Sequence, residues 1–275
     1  MNGIQIPDFR SYLHSVSLQR GQAWGFRFGD KGTHTSRTLM LEELRLLLDA
    51  VPGGVNREAY VQAVIVDNCL GKKTTATRKL SVQRLSELYA LNPTVPLFRV
   101  LRDLWGHHES SRPLLAMLLG LARDPILRIT AEPLLQTPIG NELSRQSLEQ
   151  VLGEEIGHRF KPATLGKIIR NVGSSWTQSG HLEGRVRKIR KSVQPTPAAC
   201  TFALLLGYVL GQRGRMLFET PWVAILDRSF PDLLELAIDA KRLGLLDLKQ
   251  SASMIDISFP NLLSEQDKEL IRGAN

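Results

Sequence analysis

Apolar residues recur at three- and four-residue spacing along most of this chain, and glycine or proline closes most of the runs. Leu41, Leu44, Leu48 and Val51 predict a helix that opens at Ser36 or Thr38 and stops at Pro52-Gly53-Gly54. Asn56 then stands where a cap belongs, Glu58 sits in the first turn, and Tyr60, Val61, Val64 and Ile65 turn inward as far as Leu70-Gly71. Thr74 or Thr75 caps the next helix, whose inner face is Leu80, Leu85, Leu88 and Leu91. Two strongly apolar helices fill Val95 to Arg123, and Ser144 caps a further one. Between Lys161 and Val193 a helix carries Leu165, Ile168, Ile169, Val172 and Trp176 on one face, core positions all, and ends at Ser179-Gly180. Val186, Ile189 and Val193 then alternate with basic residues in a short strand or loop.

Beyond it the pattern predicts a buried helix over Pro197–Leu210, a shorter one with Trp222, Ile225 and Leu226, and a helix that ends before Gly244. An alternating strand, Met254–Phe259, and a last helix with a capping box from Ser264 and Asp267 complete the chain. SWTQSGHLEG and AKRLGLLDLK share a helix, then Gly-x-Leu, then an acid, which hints at two winged-helix-like units, the second with an uncharged wing. The expected fold is mainly α, with helix-turn-helix and winged-helix features and a few short β-strands. Pro133, Pro138 and Gly140 mark the best boundary, giving an N-terminal helical domain, 1–135, with the helix-turn-helix-like stretch 56–91, and a C-terminal winged-helix-like domain, 136–275.

The start of the chain is less legible. Tyr12, Leu13, Val16 and Leu18 fit a short helix, and the stretch with Gly21, Gly25, Gly29 and Gly32 reads as a connecting loop or hairpin. It lacks the Gly-Lys-Ser/Thr of a phosphate loop. Aromatic residues are only 6% of the chain while leucine dominates, which favours packed helices over a β-sandwich. The two cysteines, Cys69 and Cys200, fall in apolar runs with no ligand spacing and read as buried hydrophobes, in keeping with a reducing cytoplasm. The first ten residues show no secretory signal pattern, and Pro197–Leu210 is too short to span a bilayer, so a cytoplasmic protein without membrane contact is expected.

Charge sharpens the picture. Residues 158–193 hold nine Lys and Arg against one acid, Glu183, and the rest of the chain balances at 26 against 26. The whole net charge of +8 therefore sits in one element, as a surface for a polyanion requires. Helix, glycine turn and basic hairpin is the one-dimensional pattern of a winged helix-turn-helix. This reading assigns double-stranded DNA contacts to Lys167, Arg170, Gln178, Ser179, His181, Arg185, Arg187, Lys188, Arg190 and Lys191. A second set, Lys72, Lys73, Thr74, Thr75, Thr77, Arg78 and Lys79, opens a helix behind a tight glycine turn, where a recognition helix would meet backbone and bases. An RNA ligand, or an acidic partner protein docked on the basic patch, remains open on sequence grounds.

No catalytic signature is found. Gly-x-Ser-x-Gly, Walker A, His-Glu-x-x-His and Cys-x-x-Cys are all missing from the sequence. His107, His108 and Glu109 are neighbours without a third ligand, so no metal, cofactor or enzyme activity is expected.

The stretch Val61–Leu91 joins a helix ending in Asn-x-Leu, a basic Lys-Thr-x-x-Thr-Arg junction, and a helix with Arg-Leu and a closing Leu. Asn68, Leu70, Lys73, Thr74, Thr77, Arg78, Arg84, Leu85 and Leu88 occupy these places. In this the chain resembles the BrxA family of the bacterial phage-defence system BREX (bacteriophage exclusion), over roughly residues 35–230. The resemblance implies a helical, DNA-binding, non-enzymatic accessory protein that acts beside a methyltransferase and an ATPase. The family's likeness to the antitermination protein NusB keeps RNA as a possible ligand. The chain departs from the family in its segment Phe230–Asn275 and in its glycine-rich N-terminal loop.

Overall fold

The computed structural model describes residues 8–251 and 254–272. Residues 1–7, which carry most of the stretch read above for a secretory signal, lie outside the described residues. Helices dominate. The described chain opens with α1 (Phe9–His14) and α2 (Leu18–Trp24), followed by the group α3 (Leu41–Ala50), α4 (Arg57–Ile65) and α5 (Thr75–Tyr89). Next come α6 (Pro96–Trp105) and α7 (Arg112–Arg123), then the short α8 (Pro125–Ile129) and α9 (Ala131–Gln136). α10 (Arg145–Ile156) and α11 (Pro162–Gln178) lead into the hairpin β1 (Leu182–Glu183) and β2 (Ile189–Arg190). α12 (Pro197–Val209), α13 (Pro221–Ala224) and α14 (Phe230–Arg242) precede a second hairpin, β3 (Asp247–Gln250) and β4 (Ile255–Ser258), and α15 (Glu265–Arg272) follows.

Local chemistry sets many of the helix starts. Asn56, Thr74 and Ser144 each accept the N–H three residues on, from Ala59, Thr77 and Ser147, and Ser264 and Asp267 exchange the two bonds of a capping box. α7 and α12 are the centre. Leu114–Ala122 are buried without a break, and so are most residues of α12. A helix apolar all round needs neighbours on every side, and α7 packs on α3, α5, α6 and α12. The buried residues of both halves of the chain form one continuous cluster.

Two N-terminal expectations are corrected. The glycine-rich stretch is a loop only from its second glycine on: α2 runs through Gly21 to Trp24, and Gly25 ends it at φ 103°. Trp24 and Phe26 are then buried, Phe26 meets the Trp222 ring edge-on at 5.6 Å, and Arg27 N donates to Ala122 O. Burying two large rings outweighs the turn preference of scattered glycines. The next long helix begins at Leu41, later than the caps at Ser36 or Thr38 suggested, because residues 33–35 form a separate turn.

That turn is held by Asp124. Its carboxylate, fully buried, accepts the N–H groups of Thr33 (2.6 Å), His34 (3.1 Å), Ile126 (3.0 Å) and Leu127 (3.2 Å), and faces His34 Nδ1 at 2.8 Å. His34 Nε2 reaches Ser175 Oγ at 2.8 Å, and that oxygen accepts Leu39 N. The chain from residue 33 to 39, the start of α8 and the middle of α11 are thereby tied at one point. Serine, histidine and aspartate in this order also build hydrolase triads. Here all three side chains are sealed in the core, with no open side for a substrate.

Burial by itself pushes the Asp124 carboxyl up, but the His34 ring and the N–H donors prevail and hold it below its ordinary value. A carboxyl depressed in the folded state contributes stability at pH above its unfolded value, about 3.9, and loses it as pH falls through the folded value. Asp124→Asn is therefore expected to cost about 3 kcal/mol in urea denaturation at pH 7, a difference that shrinks toward pH 3. Gly32→Ala is expected to destabilise the same knot, because a Cβ there would lie 2.1 Å from Asp124 Oδ1.

Candidate nucleic-acid interface

α11 is used on three sides. Ile168, Val172 and Trp176 face the core, where Trp176 Nε1 donates to Thr130 Oγ1 at 2.9 Å. Asn171, Ser175 and Gln178 hold the segment 34–41: Asn171 Nδ2 donates to His34 O, and Gln178 Oε1 accepts Leu41 N. At 100° per residue the third stripe is Ala163, Lys167, Arg170, Ser174 and Thr177. Lys167 and Arg170 are exposed, and neither has a hydrogen-bond or ion-pair partner among the described residues. Two further cations lie beside the stripe, Arg145, which pairs with Glu149 at 2.7 Å, and Lys188. A Cβ at Gly166 would meet Arg145 Nη2 at 3.4 Å, and one at Gly173 would meet Lys188 Cε at 3.9 Å.

The hairpin after α11 is the outer edge of a larger pairing. β1 runs antiparallel to β2, with Leu182 opposite Arg190 and Glu183 opposite Ile189. On its other side β2 meets residues 140–143: Glu142 bridges Ile189, Leu143 N donates to Lys188 O, and Arg190 N donates to Asn141 O. Gly184 turns the loop at φ 97°, where a Cβ would fall 2.2 Å from Arg187 O. Arg185, Val186 and Arg187 stand exposed at the tip, Val186 at 89%. Lys188 folds back, its Nζ on Thr177 Oγ1 at 2.9 Å and on Gly184 O at 2.7 Å, and partial burial lowers its pKa. Arg187 pairs with Glu142 and Lys191 with Glu183 on the surface, contacts weak enough to exchange for a ligand.

Three residues assigned above to the interface belong to the interior, and a fourth, Gln178, is half-buried and engaged within the fold. Arg190 is buried, with its guanidinium on Asp227, on the carbonyl of Lys191 and, at 3.3 and 3.4 Å, on the carbonyls of Leu134 and His181. His181 is fully buried, Nδ1 beside Ser179 Oγ and Nε2 on Ile225 O, both at 2.8 Å, and burial pushes its pKa down to about 4. Ser179 is buried with it and donates to Trp176 O. Gln178 is spent on Leu41 and Thr38. His181 and Arg190 thereby fasten the hairpin to the end of α13, at Ile225 and Asp227. A basic strand alternates its faces, so one of its arginines turned inward.

The second candidate set divides in the same way. Lys73, Thr74, Thr75, Thr77 and Lys79 are exposed around the start of α5, with Thr74 as the cap. Arg78 is instead the clasp of the turn, its Nε on Lys72 O and its Nη1 on Ile65 O, and Lys72 is paired with Glu43 at 2.9 Å. The turn at 33–35 packs against both α11 and α5 and joins them, through Asn171 to His34 O and through Thr33 Oγ1 to Glu87 Oε2 at 3.0 Å. Arg145 was not foreseen as a neighbour of α11. Only the packing of α10 on α11 brings it there.

Among the described residues no group of three or more His, Cys, Asp and Glu side chains is placed to hold a metal ion, and no helix is long and apolar enough to cross a membrane. Both cysteines are free, Cys200 buried and Cys69 partly so. No protein-family model matches the chain, and no curated protein matches it.

Interior and surface arginines should behave differently on substitution. Arg190→Ala is expected to cost about 3 kcal/mol in chemical denaturation, because Asp227 is left without its partner, whereas Arg187→Ala should change stability by less than about 0.5 kcal/mol. His181, held below its unfolded value of about 6.5, contributes stability above that pH and loses it as pH falls toward 4. Over that window the loss should reach about 3 kcal/mol, and His181→Gln should flatten the slope of stability against pH between 6.5 and 4.

Proposed function

We propose that this protein is a non-enzymatic, double-stranded DNA-binding protein that meets the duplex with α11 and the β1–β2 hairpin. The observation that carries the reading is the open stripe of α11, where Lys167 and Arg170 stand exposed and without a carboxylate, with Arg145 and Lys188 beside them. A protein gains nothing in stability from massing unpaired cations, which repel one another. A phosphate backbone neutralises them and releases its counterions.

The order of elements supports the same reading. A paired segment at 140–143, then α10, α11, β1 and β2, with the first segment on β2, is the sequence of parts in a winged helix. In that arrangement α11 enters the major groove, Lys167 and Arg170 meet phosphates or base edges, and Arg185 and Arg187 at the wing tip hold the flanking backbone. The exposed start of α5, Lys73 to Lys79, is a second contact.

Duplex DNA is favoured over the other nucleic acids on two grounds. None of the exposed large apolar residues among the described ones is aromatic, which disfavours stacking of unpaired bases on the surface. The major groove of duplex RNA is too deep and narrow to admit a helix. The resemblance to the BrxA family extends the proposal to an accessory role in a BREX-like phage-defence system, beside a methyltransferase and an ATPase.

Fluorescence anisotropy with duplex DNA, duplex RNA and single strands, titrated with salt, tests this. The expected outcome is salt-dependent binding that favours duplex DNA. Replacing Lys167, Arg170 and Arg187 with Ala should weaken it at least about tenfold and flatten the log–log salt slope by roughly 2–3 units. Equal binding by the triple variant would remove α11 and the wing from the interface, and no binding of any nucleic acid would leave a basic surface for an acidic protein partner.

A further inference from the structure

A second concentration of cations lies away from the α11 stripe, where α5 meets the end of α7 and the N-terminal strap. Arg27, Arg57, Lys79 and Arg123 line an open cleft of about 510 Å³ whose one acidic side chain is Glu87. That carboxylate is already engaged: Arg84 Nη1 donates to both of its oxygens and Thr33 Oγ1 to one. Arg57 and Lys79 are exposed and have no partner among the described residues. Part of the cluster has a local cause. Arg27 Nη1 donates to Glu87 O and Arg123 Nη2 to Ser86 O, so both guanidiniums cap the carbonyl end of α5, where its dipole favours positive charge.

Capping accounts for two cations, and the other two remain unexplained by it. It also leaves Arg123 incompletely served, because its Nε is buried without an acceptor. Burial, and then the Arg27 charge beside it, pull the Arg123 pKa down to about 10, so the two arginines crowd each other with no anion between them. An arrangement of this kind is relieved by an anionic group that reaches several donors at once, as a tetrahedral phosphate does.

We propose that this cleft is a phosphate-binding site, and that it holds a backbone phosphate of the bound duplex beyond the footprint of α11. The second half of the proposal rests on the DNA-binding reading, and the first does not. The turn at 33–35 links the two places, since Thr33 bonds Glu87 at the cleft and His34 O bonds Asn171 on α11. Arg57 and Lys79 supply charge and donors from the surface, and the Arg27 and Arg123 guanidiniums, held in place by their carbonyl bonds, add positive charge at the cleft wall. The protein then has two phosphate grips on one ligand, with the N-terminal strap as the spacer between them.

Isothermal titration with inorganic pyrophosphate at low salt tests the site without any nucleic acid. The full chain should bind it, the double variant Arg57→Ala/Lys79→Ala should bind at least about tenfold more weakly, and Arg242→Ala/Lys249→Ala, two exposed cations far along the chain, should bind as the parent does. Both substituted pairs are exposed, so unchanged melting temperatures are expected to accompany these results. Equal pyrophosphate binding by the cleft variant, or none by the parent, overturns the site. With duplex DNA the cleft variant should lower the salt slope by about 2 units, and an unchanged slope overturns the assignment of the phosphate to that duplex. If the parent binds pyrophosphate at the cleft but no duplex at all, the DNA-binding reading fails and the anion site stands.

Discussion

The buried carboxylate of Asp124 is the constraint on which the arrangement depends. A charge in the core is tolerated only when donors surround it, and here four N–H groups and one imidazole do so. Those donors come from two distant stretches of sequence, and through His34 the bond network continues to Ser175 on α11. The strap at 33–39 therefore has one position relative to α8 and α11. Gly32 is needed for the approach, because any side chain would occupy the space of the carboxylate. What is fixed at Asp124 fixes the orientation of α11, and with it which of its faces meets solvent.

α11 then divides its surface among three tasks, and the residue types follow the division. Bulky apolar side chains line the core face, and the polar Asn171, Ser175 and Gln178 hold the strap by hydrogen bonds. The third face is left to cations and small residues. Polar residues at the C-terminal end, Gln178, Ser179 and His181, look suited to a ligand yet serve the fold, because the hairpin must be fastened where the helix stops. The tip of the β1–β2 hairpin carries Arg185 and Arg187 outward while Arg190 holds its base inward, against Asp227.

The same order of parts recurs in α14, β3 and β4. Each helix ends at a glycine with positive φ, Gly180 at 87° and Gly244 at 72°, followed by a buried leucine, Leu182 and Leu246, that opens the hairpin. The outer faces differ in charge. α14 presents Asp232, Glu235 and Asp239, which repel a phosphate backbone, where α11 presents Lys167 and Arg170. The order of elements is alike in the two units, and the charge of their outer faces differs.

By itself the sequence determined what depends on residues a few positions apart. The caps at Asn56, Thr74, Ser144 and Ser264, the mainly α character and the concentration of positive charge in residues 158–193 were all legible, because each rests on spacing or on a hydrogen bond within one turn. Tertiary structure alone decided which basic residues face outward. Arg187 and Arg190 are alike in sequence, but strand register and the position of Asp227 place one in solvent and the other in the core. Arg78 likewise became a clasp because Ile65 O, thirteen residues away, lay within its reach. The glycine-rich strap escaped a local reading since its conformation is set by Asp124 and by burial of Trp24 and Phe26. Its partners lie about a hundred residues further along the chain, at Ala122 and beyond, where spacing rules carry no information.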